Sequence, residues 1–496
     1  MNEQQLCLNA DYHFRNDNDR IIMYSKKQVQ DYSSPLWISY IHPAQAMLLY
    51  AYTKDNILFG KQREILTKFH LTEKTADELI RPFVENEEPI YTEFKGQKVW
   101  FPKNVLIYPD GKKVTENKRY VVDFNCEKID LTPDRNHKAP QYLLFMLTNK
   151  CVTNCKYCYA DRHTKCQLLS TTEILRIVRE ARNLGLSYID VIGGEVFCRK
   201  DWNVILKEMV DQDLMPSYVS TKVPITEKQV KMLFETGYKN VVQISLDSMN
   251  EDVLQIIIKC GGGYVGRMKH TIELLSSYGF PIQINTILTK YNSSKESLLE
   301  LFNYIKSIQN LVYWEIRIPE DSIYSPKDFK EIQASKEQLE KLGSFIRNVL
   351  IPDAGFAIYF SDEALNFCAY DGKANDKYFK GGSCGMLTNR MFILPDGKVS
   401  ICEQLYWHPQ FIIGDLTKQT IPEVWNSPKA LALFNRKHEV FRKESRCYSC
   451  KNLDMCTAKH RRCFVKVIKA YGLDNWDFPD PRCQYAPKIE SCLIYK

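Results

Sequence analysis

The sequence holds no apolar run near the roughly 18 residues that a membrane-spanning helix needs, no internal repeat and no low-complexity stretch. A spanning helix and a repeat array are thereby excluded. It also lacks a large charge of either sign: 67 Lys and Arg against 60 Asp and Glu leave a net +7, too mild for a nucleic-acid scaffold. The opening MNEQQLCLNADYHFRNDNDR lacks the basic end and apolar stretch of a secretory signal, which predicts a cytoplasmic protein bound neither to membrane nor to nucleic acid. What is present is an ordinary globular composition, 44% hydrophobic, 26% charged and 12% aromatic over 496 residues. That length predicts about three domains.

In a reducing compartment the 17 cysteines are not disulfide staples, and metal binding or catalysis is their expected use. They fall in two centres, one between Cys151 and Cys198 and one from Cys368 to Cys492, with a sparse stretch between.

Residues 1–118 read as one domain. HPAQAMLLYAY, GKQREILTKFH and TEKTADELIRPFVEN carry helical spacing, and EEPIYTEFKGQKVWFP reads as a hairpin turning at Lys95-Gly96, together a winged-helix pattern. Residues 119–345 alternate short apolar strands (PQYLLFML, LSYIDVIGG, SYVST, NVVQISLD, PIQINTILT, LVYWEIRI) with amphipathic helices. Six such units predict an α/β fold, a partial (β/α)6 barrel of the TIM type with reactive residues at the carboxyl ends of its strands. Residues 346–496 break into short elements rich in cysteine, a third domain expected to be held together by metal.

LTNKCVTNCKYCYADR places Cys151, Cys155 and Cys158 directly after the first strand with the spacing C-x3-C-x2-C. Three thiolates on one loop hold three corners of a 4Fe–4S cubane and leave one iron open; a zinc loop is the alternative. With Tyr157 as its aromatic residue, the motif resembles that of the radical S-adenosylmethionine (SAM) enzymes. The resemblance implies that SAM binds the open iron, and that its reductive cleavage gives a 5′-deoxyadenosyl radical that abstracts a substrate hydrogen. Gly193-Gly194-Glu195 resembles the motif holding the SAM amino group, with Val196 in place of the usual proline. Ser245 and Asp247 in QISLD, and Asn285 and Asn292 in INTILTKYN, match further SAM-binding positions. Ser220-Thr221-Lys222 replaces the usual Thr-Asn-Gly.

In the second centre, Cys384, Cys402, Cys447, Cys450, Cys456, Cys463 and Cys483, with Gly397 between the first two, resemble the SPASM extension of radical SAM enzymes. The last gap of the run has six residues where three are common; a two-zinc ribbon is the alternative. The resemblance implies one auxiliary 4Fe–4S cluster fully ligated by Cys447, Cys450, Cys456 and Cys483. It implies a second held by Cys384, Cys402 and Cys463, with an iron open to a substrate thiolate unless Cys368 closes it.

The whole is therefore similar to SPASM peptide maturases, with residues 1–118 resembling the RiPP recognition element that captures the leader of a ribosomally made precursor. The implied reaction is a thioether crosslink fed by a low-potential donor such as flavodoxin or ferredoxin. Carbon–carbon crosslinking, epimerisation, excision and formylglycine generation on sulfatases use the same radical. The general base is unassigned, since Asp247 and Glu315 serve structure equally well.

Overall fold

The computed structural model describes residues 5–25, 37–54, 57, 61–68, 70, 72–108, 123–125, 127–325, 327–361, 384–458 and 462–489. Cys126, Cys368 and Cys492 lie outside them, so the expectation placed on Cys368 does too. The chain divides into two compact units, Met1–Ala139 with Glu180–Ser187, and Pro140–Arg179 with Tyr188–Lys496.

In the first unit β1 (Cys7–Leu8) is followed by a three-stranded antiparallel sheet of β2 (Tyr12–Asn16), β3 (Ile21–Ser25) and β4 (Ile38–Ile41). Then come α1 (Pro43–Tyr50), α2 (Lys61–Lys68) and α3 (Glu73–Ile80), the hairpin of β5 (Ile90–Phe94) and β6 (Gln97–Phe101), and β7 (Leu106–Ile107), which pairs with β1. Lys95 and Gly96 turn the hairpin with φ of +49° and +77°, the two positive angles that a two-residue turn matching strand twist requires. The sheet before the helices was absent from the sequence reading. Its middle strand, IIMYS, is almost uniformly buried, so no alternation marks it. The unit runs on to Ala139 because buried arginines tie the later segment down. Arg15 donates to the Ala139 carbonyl at 2.6 Å, and Arg20, ion-paired to Asp17 at 2.9 Å, donates to the carbonyls of Thr132 and Arg135.

In the second unit all six expected strand segments form strands: β8 (Tyr142–Thr148), β9 (Ile189–Gly193), β10 (Tyr218–Thr221), β11 (Val241–Ser245), β12 (Ile282–Ile287) and β13 (Leu311–Arg317). Helices α4 (Thr171–Asn183), α5 (Trp202–Asp211), α6 (Glu227–Glu235), α7 (Glu251–Ile258), α8 (Tyr264–Ser277) and α9 (Lys295–Ile305) alternate with them. Six of the seven residues of β8 are buried, as expected of a parallel strand covered on both faces.

The strands lie in two five-stranded sheets. One is all parallel, β10–β11–β12–β13–β14, and its last member, β14 (Ala357–Ser361), is a parallel strand that the sequence reading did not include. The other runs β17–β16–β15–β8–β9, so that β15 (Arg390–Ile393), β16 (Lys398–Ser400) and β17 (Ile412–Asp415) of the cysteine-rich region extend the sheet from β8. Between β9 and β10 a side chain bridges the sheets: Asp190 Oδ1 accepts from Ser217 N at 2.8 Å. No helix among the described residues is long and apolar enough to cross a membrane.

Candidate cluster-binding active site

The loop after β8 carries Cys151, Cys155 and Cys158 and is pinned from two sides. Asn154 N and Lys156 N donate to the Ile258 and Ile257 carbonyls at the end of α7, at 3.1 and 2.8 Å. On the other side, Gly194 N and Glu195 N continue the β9 ladder onto the Thr148 and Lys150 carbonyls, each at 2.8 Å. This approach explains the glycine pair. A Cβ on Gly193 would lie 2.7 Å from the Thr148 oxygen, and one on Gly194 only 2.2 Å from that of Lys150. Both obstacles are backbone, which has nowhere to move. Gly194→Ala is expected to cost about 3 kcal/mol in urea unfolding, and Gly193→Ala less.

The Thr153 hydroxyl lies 3.2 Å from Cys151 Sγ and 3.4 Å from Cys155 Sγ. Burial pushes the Cys155 thiol up to about 11, so loading iron here releases protons.

Glu195 is buried. Its Oε2 accepts from Lys222 N at 3.1 Å and Thr221 Oγ1 at 3.2 Å, and its Oε1 from Phe197 N at 3.3 Å. Burial outweighs these bonds and lifts the carboxyl from the ordinary 4.5 to about 7. An acid whose folded form keeps its proton longer than the unfolded form loses stability as pH rises. The SAM-free protein should therefore weaken between about pH 4.5 and 7 by about 3 kcal/mol, and Glu195→Gln should flatten that slope in unfolding measured across pH.

Beside the cysteine loop lies a charged group that joins two of the expected site residues, Tyr157 and Asp247, to Lys222, for which the sequence suggested no role. Lys222 Nζ, at the end of β10, donates to Asp247 Oδ2 at 3.0 Å and to the Tyr157 hydroxyl at 2.6 Å, while that hydroxyl donates to the same carboxylate oxygen. Asp247 Oδ1 accepts from Ile287 N at 2.9 Å, and Asn292 Nδ2 donates to the Asp247 carbonyl at 2.7 Å. Both Asp247 oxygens are thus taken up by the protein itself. Burial is the largest influence and opposes the Lys222 charge, yet Asp247 together with Cys155 and Cys158 outweighs it and the ammonium holds its proton more tightly than an ordinary lysine. Its positive end faces Cys155 and Cys158. Ser245 and Asn285 sit opposite each other in the β11–β12 register, and Asn285 Oδ1 accepts from Gln283 Nε2 at 3.1 Å. Glu315 is engaged by Arg317 at 2.7 Å and Gln283 at 3.2 Å.

The later cysteines gather as two sets. Cys447, Cys450, Cys456 and Cys483 line one small cavity with Arg462 and Asp480. Cys384, Cys402 and Cys463 are electrostatic neighbours, with Arg390 beside the first two. Among the described residues no three His, Cys, Asp or Glu side chains converge tightly enough to hold a single metal ion; the four sulfurs instead surround a cavity. Arg462 Nη1 donates to Cys447 Sγ at 3.2 Å, and Arg462 Nε is buried with no partner among the described residues. The donor set and this orphaned cationic edge both suit an anionic thiolate cluster.

Residues 145–305 match the radical SAM superfamily, and residues 384–451 match the SPASM iron-sulfur cluster-binding domain. The chain is 28% identical over 175 residues to the GTP 3′,8-cyclase of Clostridium perfringens (strain SM101 / Type A), covering 34% of this chain and 53% of that protein. It thus spans about half the length of that curated relative. To the AdoMet-dependent heme synthase of Methanosarcina barkeri (strain Fusaro / DSM 804) it is 22% identical over 357 residues, 70% of this chain and 97% of the other. The solved structure of Streptococcus suis SuiB bound to precursor peptide SuiA shares its fold, with a TM-score of 0.61 at 14% identity over 97% of this chain and 100% of that one. The chain therefore carries a radical SAM domain followed by a SPASM domain, and is an enzyme with 4Fe–4S clusters and S-adenosylmethionine as its cofactors.

Proposed function

We propose that this enzyme modifies a ribosomally made precursor peptide in the cytoplasm and closes a thioether between a cysteine sulfur and a carbon. When bound, SAM and its cluster supply the hydrogen-abstracting 5′-deoxyadenosyl radical. Cys151, Cys155 and Cys158 hold that cluster. Gly193 and Gly194 keep the SAM-side backbone close to the loop, and Glu195 faces the SAM amino group. Ser245 would contact its ribose, with Asn285 opposite it in the β11–β12 register as a further SAM-binding position, and Tyr157, fixed by Asp247 and Lys222, would shape the loop beside it. An ammonium brought against Glu195 favours its ionised form, so SAM binding should tighten as pH rises through about 7.

The observation that carries the reading is the gathering, among the described residues, of three cysteines, Cys384, Cys402 and Cys463, a set one thiolate short of a closed cubane that leaves a place for a peptide cysteine unless Cys368 fills it. Likeness to a fold that binds a precursor peptide supports it. In the first unit the three helices and the β5–β6 hairpin serve as a winged-helix, recognition-element-like module for the leader, by strand addition. Tethering the leader raises the effective concentration of the core peptide. A low-potential protein such as flavodoxin or ferredoxin feeds the electron.

Mass spectrometry of the cognate peptide after anaerobic turnover is the test. A product lighter by two hydrogens, with one cysteine no longer alkylated by iodoacetamide, is expected. An unchanged mass with an inverted residue, or an aldehyde in place of a cysteine, would overturn the thioether.

A further inference from the structure

Two arginines beside the four-cysteine cavity form no ion pair with an acid among the described residues. Arg436, just after the helix Pro428–Asn435, and Arg462, just before the helix Phe464–Tyr471, are 3% and 4% exposed. The nearby carboxylates are already engaged, Asp477 by Arg442 at 2.6 Å and Asp480 by Arg482 at 2.8 Å. Arg462 donates to the Trp476 carbonyl at 3.1 Å, to that of Phe478, and to Cys447 Sγ. Arg436 donates to the Thr457 carbonyl at 3.4 Å, and its electrostatic neighbours are Arg462, Cys456, Cys447 and Cys384.

Two like charges side by side in a dry interior repel each other and forfeit hydration, so the site needs an anion. Asp480 lines the same cavity but is held by Arg482, so among the described residues the cysteine sulfurs are the anionic groups left to face the two arginines. The other two cysteine sets differ. Lys222 is neutralised by Asp247 at 3.0 Å, and Arg390 has Glu403 as a neighbour.

We propose that Arg436 and Arg462 are the counter-charge of the cluster held by Cys447, Cys450, Cys456 and Cys483, and that they make it the most readily reduced of the three centres. A cubane with four thiolates is a dianion when oxidised and a trianion when reduced. Two fixed cations favour the extra charge with little screening from water. The step is one electron gained from the reductant with no proton taken up, because both guanidiniums stay charged throughout. The proposal rests on the assignment of that cluster to these four cysteines, and it is independent of the peptide reaction.

The test is an EPR-monitored redox titration of the full-length, reconstituted chain without peptide. In the wild type the first reduction wave belongs to this cluster. In an Arg436→Gln/Arg462→Gln double variant that wave should recede by at least tenfold in the reduced-to-oxidised ratio at fixed potential, about 59 mV for a one-electron couple. The wave of the Cys151 set should stay in place, that of the Cys384 set should shift less than the first because Arg436 also neighbours Cys384, and Arg436→Lys/Arg462→Lys should restore the first. A first wave that does not move, or three waves that move together, overturns the proposal. If the Gln variant loses about four irons, retention of them by the Lys variant supports a charge requirement, and their loss there too overturns it. A wild type with only about eight irons and an unloaded four-cysteine site would remove the cluster assignment itself.

Discussion

Replacing Cys151, Cys155 and Cys158 together by alanine is expected to lower the iron content of the reconstituted chain from about twelve to about eight atoms, at four per cubane, and to abolish reductive cleavage of SAM. The loop owes its place to backbone bonds from Asn154, Lys156, Gly194 and Glu195, none of which uses a cysteine side chain. The fold should therefore survive the substitution, and the charge-transfer bands of the two remaining clusters with it. Iron and sulfide analysis with UV–visible spectra checks this. Iron that stays at about twelve would place the third cluster elsewhere, and stoichiometric zinc would remove cluster chemistry altogether.

Asp247→Ala is expected to cost about 3–5 kcal/mol, the penalty for leaving one member of a buried ion pair alone. The side chains of Asp247 and Lys222 are 1% and 16% exposed, so little water replaces the lost carboxylate. Tyr157 loses its acceptor at the same time. Pairing the change with Lys222→Met removes the stranded charge, and the double variant should recover most of the loss in urea unfolding. Equal losses in the single and double variants would mean that Asp247 acts through its bonds to Ile287 and not through the charge pair.

The cysteine loop was legible in the sequence because its chemistry and its spacing are local, three sulfurs within eight residues after an apolar strand. The six strands were legible because each is a short apolar run closed by a turn. What escaped reading depends on partners far apart in the chain. Lys222 meets Asp247 and Tyr157 across 25 and 65 residues, and as a sequence it is only a departure from a motif. Arg436 and Arg462 look like two of many basic residues until the fold buries both with no carboxylate ion-paired to either among the described residues. The strand β14 alternates exposed and buried positions beside a region of broken pattern, and the parallel pairing of β15 with β8 has no local signature at all. In the first unit the three helices and the hairpin carried periodicity and a turn dipeptide, whereas the β2–β4 sheet carried neither.

The pairing of Leu143 with Met391 and of Phe145 with Ile393 also sets an order of events at the ribosome. When β9 and the α/β repeats have emerged, β8 already has one neighbour and the cysteine loop its glycine cradle, but the other edge of β8 is bare until the chain is synthesised past residue 393. A bare strand edge recruits whatever strand is nearest, and a contact this distant in sequence forms late. The nascent protein thus passes through a stage in which its iron-binding loop is assembled beside an unprotected edge, so slow translation between β9 and β15 should promote aggregation more than a pause after residue 415.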